Sequence, residues 1–425
     1  MNNHFLIASI VFLAVYGVLI LDKINRAVVA LLGACILVIL GVLNQEQAIR
    51  GVDFNTIGLL IGMMVIVAVC QRTGMFQYLA IKSAKVAKGN PWWLLVMLAV
   101  VTAVTSAFLD NVTTVLLMAP LTILFAEEMK IDFYPFLFVE IFASNIGGTA
   151  TLIGDPPNIM IGSAANLSFM DFVRNLTPPI IVIMAATLVP FYFIYGRRLK
   201  VDDDVQQRIM AFNELDAIKD WALLRKCLVV LALVVSGFLF QRQLHLEPAT
   251  IASLGAGVLL FLTGDDVHEI STKVEWTTIF FFTGLFIVVK GIEEVGLISM
   301  LAKGIMDITA GNKTVMVLSI LWVSAIASAF IDNIPFVATM LPLIKEVGVQ
   351  MGGHDAIMPL WWALSLGACL GGNGTIIGAS ANVVVAGISD RAGRPFNFIE
   401  YMKMAFPLML ISIIISTIYL YLFYL

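Results

Sequence analysis

Apolar runs of about 17 to 22 residues recur along the chain, each long enough to cross roughly 30 Å of hydrocarbon as a helix rising 1.5 Å per residue. In the first part of the chain the pattern predicts spans near residues 5–21, 27–43 and 55–72 and a short amphipathic segment at 74–89. A polar-tipped apolar hairpin at 91–126, a glycine-interrupted span at 135–163 and a last span at 177–197 follow. The run from Phe5 to Leu21 lacks a basic flank and a small-residue cleavage site, so it is expected to be the first span and not a signal peptide.

The same pattern then returns. A shift of 222 residues carries Ser106, Ala107, Phe108, Asp110, Asn111, Met118 and Pro120 onto Ser328, Ala329, Phe330, Asp332, Asn333, Met340 and Pro342. A shift of 224 superposes Gly147, Gly148, Thr151, Ile153, Gly154 and Asn158 on Gly371, Gly372, Thr375, Ile377, Gly378 and Asn382. Between the copies lies the one sizeable hydrophilic stretch, Arg197 to Lys226, with Arg198, Lys200, Arg208, Lys219 and Arg225 among its charges. The expected organisation is a first repeat over residues 1–200, a cytoplasmic linker over 201–221 and a second repeat over 222–425.

Composition agrees with the spans: 60% of residues are hydrophobic and 13% charged, far from a soluble chain. The net charge of −4 says little, but its distribution is informative. With the linker in the cytoplasm, the inside collects Lys23, Arg26, Lys82, Lys85, Lys88, Lys130, the linker cluster, Lys273, Arg391, Arg394 and Lys403. The outside keeps Arg50, Arg174, Arg242, Lys303, Lys313 and Lys345, a ratio of roughly three to one. That bias is met if each half crosses five times and its hairpin re-enters, which inverts one copy relative to the other. The expected fold is all-α and polytopic, with two inverted-topology repeats, about ten transmembrane helices, two re-entrant hairpins and two broken helices.

Irregular backbone is tolerated at membrane depth only where protein or a polar cavity receives it. The two hairpin tips, at Asp110-Asn111 with Thr113 and at Asp332-Asn333, precede apolar helical runs in the position of N-caps. Asn or Ser would cap without placing in the membrane a charge costing about 3 kcal/mol, so a role in solute or ion binding is expected. The broken spans add Asn145, Thr149, Thr151, Asp155 and Asn158 in the first half and Asn373, Thr375, Ser380 and Asn382 in the second. The copies differ where chemistry would differ: Asp155 aligns with Ala379 and Thr113 with Pro335. Asp110, Asp155, Asp332 and the intramembrane Glu140 are the candidates for proton or ion coupling. Lys290 is expected to reach the interface.

Cys35, Cys70, Cys227 and Cys369 show no CxxC spacing, so neither a disulfide framework, a metal site nor a cofactor is expected. His4, His245, His268 and His354 fall in or beside loops, which argues against a histidine relay. The chain has no GxxxxGK[ST] motif, so an ion or proton gradient, not ATP, is expected to drive it.

Four segments carry a family likeness: SAFLDNVTTVLLMAPLTI, NIGGTATLIGDPPNIMIGS, SAFIDNIPFVATMLPL and GACLGGNGTIIGASANVVVAGI. There the chain resembles the ion transporter superfamily, in the ArsB/P-protein branch that also includes the silicon efflux proteins of plants. The resemblance implies a scaffold domain and a transport domain, hairpins and broken helices forming the binding site, and compatibility with an elevator motion. Related sodium-dicarboxylate carriers place Ser-Asn-Thr at the tips, where this chain has Asp-Asn. Carboxylates there repel a dianion unless they are protonated or paired with cations. A neutral polyhydroxy solute such as arsenous acid instead donates to Asp and accepts from Asn, Thr and helix N-termini. The expected function is therefore proton-coupled efflux of arsenite or antimonite by a non-enzymatic carrier in the cell membrane. The alternatives are a sodium/proton or dicarboxylate/citrate-like carrier, and a P-protein-like anion conductance. Expected partners are the lipid bilayer, a small inorganic solute and a coupling proton or Na+, with no nucleic acid; a homodimer and an accessory ATPase are compatible with this.

Overall fold

The computed structural model describes the chain apart from residues 1, 2, 22, 198, 200, 202–205, 207–209, 211 and 352 and the side chains of residues 354 and 355. Arg198, Lys200, Arg208 and the His354 side chain thus lie outside the described residues.

The first half contains α1 (Asn3–Leu21), α2 (Arg26–Ile39), α3 (Gln45–Gly51), α4 (Phe54–Arg72), α5 (Met75–Val86), α6 (Pro91–Phe108), α7 (Asn111–Glu128), α8 (Tyr134–Thr149), α9 (Pro156–Ala165) and α10 (Phe169–Phe191). The same series returns as α11 (Trp221–Leu239), α12 (Pro248–Thr263), α13 (Val267–Ser271), α14 (Trp276–Glu294), α15 (Leu297–Thr309), α16 (Lys313–Phe330), α17 (Asn333–Met351), α18 (Met358–Gly371), α19 (Ser380–Arg391) and α20 (Phe398–Phe423). A single turn at Gln241–Leu244 joins α11 to α12.

Side-chain caps start many of these helices. Asp53 accepts from the Asn55 and Thr56 amides, Asn90 from Trp92 and Trp93, and Asp220 from Ala222 and Leu223. Two starts differ from the sequence pattern. The short α3 opens on an Asn44–Gln47 capping box, and α10 opens at Phe169, eight residues before the predicted span, where Ser168 and Asp171 form another. Pro178 and Pro179 lie inside that helix, in keeping with the tolerance of transmembrane helices for proline.

Ten helices among the described residues are long and apolar enough to cross a membrane. Their membership differs from the predicted spans, because all four hairpin arms qualify while α2 and α12 are shorter. Each arm of α6–α7 and α16–α17 is a helix of 18 or 19 residues, roughly 27 Å at 1.5 Å per residue. The broken spans are pairs of shorter helices, α8 with α9 and α18 with α19.

The helices pack in two groups, each built by exchange between the halves. In the scaffold, α2 packs on α14 and α4 on α12, with α1 and α11 alongside. In the second group α6 packs on α8 and α16 on α18. The outgoing arm of each hairpin lies against the post-break helix of the other half, α7 on α19 and α17 on α9.

Glycine permits the closest approaches. A Cβ on Gly147 would stand 2.1 Å from the Ala103 carbonyl oxygen, and one on Gly371 2.5 Å from that of Ala325. Small residues thus let the helix before each break lie directly on a hairpin arm.

Candidate functional site

Each break is tied by one buried amide. Asn158 Nδ2 donates to the Thr149 and Thr151 carbonyls at 3.1 and 2.9 Å, and Asn382 Nδ2 to those of Gly372 and Thr375 at 2.7 and 2.9 Å. The Thr151 hydroxyl donates to the Ala107 carbonyl and the Thr375 hydroxyl to Ala329, which fastens each break to its own hairpin. Thr149 closes onto the Asn145 carbonyl at 2.6 Å.

The two halves meet at Asn145. Its amide donates to Asn373 Oδ1 at 2.9 Å and Asn382 Oδ1 at 2.8 Å, while its oxygen accepts from Asn111 at 3.1 Å. These residues are buried.

A cavity of about 560 Å³ opens beside this junction, between the scaffold and both hairpin tips. Of the residues anticipated from sequence, Asp110, Asn111, Asp155, Asn333 and Ser380 line it. Thr113, Asn145, Thr149, Thr151, Asn158, Asn373, Thr375 and Asn382 do not line it, and all but Thr113 are buried. Asp332 does not line it but is bonded to Arg26 and Ser380, which do.

The three aspartates differ in their surroundings. Asp110 caps α7, accepting from the Thr113 amide at 2.7 Å and from the Thr113 hydroxyl. Asp332 accepts from Arg26 at 2.5 Å, from Ser380 at 2.9 Å and from the Ile334 amide at 3.0 Å. Asp155 is 1% exposed, with the Asn333 amide 3.4 to 3.5 Å from its oxygens. No group of three or more acidic, His or Cys side chains is placed to hold a metal ion among the described residues.

Glu140 lies apart from the cavity. It is buried in α8, one oxygen accepts from Thr122, and the other has no hydrogen-bond partner. Lys290 pairs with Glu293 at 3.2 Å and Glu294 at 3.5 Å near the end of α14.

Sequence reasoning passed over Arg26 and Glu275, which both line the cavity. Arg26 counted only as an inside charge. Its position in the second copy is Pro248, and that mismatch was the available signal. Glu275 lies at the α14 start, where the first copy has Asp53.

A helical bundle with many membrane-crossing helices, broken helices and a polar cavity at their meeting point defines a multi-pass membrane transporter. The citrate transporter family model (CitMHS) matches residues 16–367, and the chain belongs to that family, within the ion transporter superfamily. An uncharacterized transporter of Mycobacterium bovis is 44% identical, with 98% of each chain covered. The 46 kDa membrane protein of Mycobacterium leprae is 43% identical, with 99% of each covered. The human P protein is 33% identical over 97% of this chain and 59% of its own length, which puts the chain in the branch of that protein. The crystal structure of the Alcanivorax borkumensis YdaH transporter shares the fold, with a TM-score of 0.62 at 14% identity over 92% of this chain and 95% of that one.

Proposed function

We propose that the chain is a proton-coupled carrier of a small, uncharged, hydroxyl-rich solute, with arsenous or antimonous acid as the leading candidate. The observation that carries this is Asp155, a buried carboxylate on the cavity wall with the Asn333 amide for its neighbour and no acidic counterpart in the other half. Asp110 and Asp155 offer acceptors to solute hydroxyls, and Asn111 and Asn333 offer amides. The same two carboxylates suit a coupling proton, because a carboxylate at membrane depth is stabilised by binding one. Asp332, held by Arg26, is the structural member of the set.

A second function has its own support. The family model describes citrate transporters, and Arg26 on the cavity wall suits a carboxylate. Such an anion would pass Asp110, Asp155 and Glu275 with its charge offset by protons or cations.

Expression in an arsenite-sensitive host without its own pump distinguishes the two. The first predicts resistance that Asp155→Asn abolishes while the variant still reaches the membrane. Unchanged sensitivity, together with citrate- or sodium-dependent proton flux in proteoliposomes, would replace it with the second.

A further inference from the structure

The two halves are alike in fold but are caught in unlike positions. On α19, Ser380, Val383 and Val384 are partly exposed, whereas their counterparts on α9, Pro156, Ile159 and Met160, are buried. Thr278 at the start of α14 is partly exposed, and Thr56 at the start of α4 is buried. The passage beside α14 and α19 therefore reaches the hairpin tips. The equivalent place beside α4 and α9 holds a separate cavity of about 500 Å³ that includes Asn55, Ser163 and Glu247 but touches neither tip.

Scaffold and site helices are tied differently at the two places. On the open side Arg26, at the start of α2, bonds to Asp332 at 2.5 Å and to Ser380 at 3.2 Å, which joins the scaffold to the second hairpin tip and to α19. Tyr16 of α1 adds a bond to the Pro335 carbonyl at 2.6 Å. On the closed side the ties lie farther out, at Arg242 with Asp171 (2.7 Å) and Gln241 with the Phe169 amide (3.3 Å). If the halves exchanged positions, Asp110 would face Pro248 where Asp332 now faces Arg26. Proline has no donor with which to rebuild the bridge.

We propose that the Arg26–Asp332–Ser380 bridge is a one-sided lock that holds the site helices against the scaffold in this state, and that its release opens the mirror passage beside α9. Arg26 is thus a positioning residue that sets the balance between two accessible states, a balance that the bridge shifts only by the difference in its own strength between them. The lock is independent of which solute is carried.

The test reads accessibility in nanodiscs, where both faces are open to solvent. In a Cys35→Ala background, Val384→Cys reports the present passage and Met160→Cys the mirror passage, through labelling by a charged maleimide. With the bridge intact, Val384→Cys labels and Met160→Cys is protected. In Arg26→Gln, and in the double variant R26Q/D332N that removes both charges of the bridge, Met160→Cys labelling rises about tenfold while Val384→Cys labelling falls; Arg26→Lys retains much of the protection. Equal protection of Met160→Cys in R26Q/D332N and in the parent, or equal labelling in both, overturns the proposal. Because no transport is measured, a wrong solute assignment leaves this result untouched.

Discussion

At the scale of single residues, the polar groups of the two breaks divide into those that face the cavity and those that shape it. Asn158 belongs to the second kind, since its amide serves two carbonyls and its oxygen accepts from Ser365 at 2.6 Å. Replacing a buried side chain that satisfies other groups leaves those groups unpaired, at about 1–3 kcal/mol. Asn158→Ala and Asn382→Ala are therefore expected to lower the thermal unfolding temperature in detergent, whereas Asp155→Asn keeps volume and fold and is expected to change transport alone. Equal thermal losses in all three would argue against this division. The sequence listed the polar residues of the site but could not sort them, because an amide that ties a break and one that meets a solute are the same residue type in the same pattern. Arg26 was hidden for a related reason: a basic residue at the start of an apolar run looks like an interfacial anchor until the fold brings Asp332 to it from 306 positions away.

At the scale of elements, the repeat made most of the helices legible, and α4, α5 and the α6–α7 hairpin lie within a few residues of the predicted ranges. The short α3 and the early start of α10 were not, because they rest on local capping rather than on apolar periodicity. The linker supplies a contact that the periodicity also omits. Glu214 pairs with Lys85 at 2.6 Å and Lys82 at 3.1 Å, and Lys219 donates its amide to the Thr73 carbonyl at 2.9 Å, so the linker is fastened to α5 and the end of α4. The Lys85 bond, aided by Glu214's own backbone and Lys82, holds the Glu214 carboxyl down at about 2, below its usual 4.5. A depressed carboxyl contributes above its free value and loses that contribution as pH falls toward the bound one. Glu214→Gln should thus hasten proteolysis of the linker at neutral pH, with the difference from the parent shrinking between about pH 4.5 and 2. The two lysines are open enough to solvent for screening, so high salt should shrink it too.

At the scale of the whole molecule, each half leans on the other as well as on itself. α2 lies on α14 and α4 on α12, while α7 and α17 each rest on the post-break helix of the opposite half. A chain cut within the linker and expressed as two pieces should assemble only when both are present, so that a tag on one piece recovers the other from detergent extracts. A first half that purified alone as a single species would contradict this mutual dependence. Pairing of opposite copies also explains why the hairpin tips, more than two hundred positions apart, share one cavity.

The asparagine at the junction has a consequence for descent. Asn145 reaches Asn373 and Asn382, and the residue that aligns with it in the second copy is Cys369, which donates instead to Asn158 Oδ1 at 3.6 Å. Two identical half-length subunits would have to place the same side chain at both positions. Joining them in one gene freed each position to mutate alone, so the unequal centre is a trait that an ancestor assembled from separate, identical pieces could not have inherited.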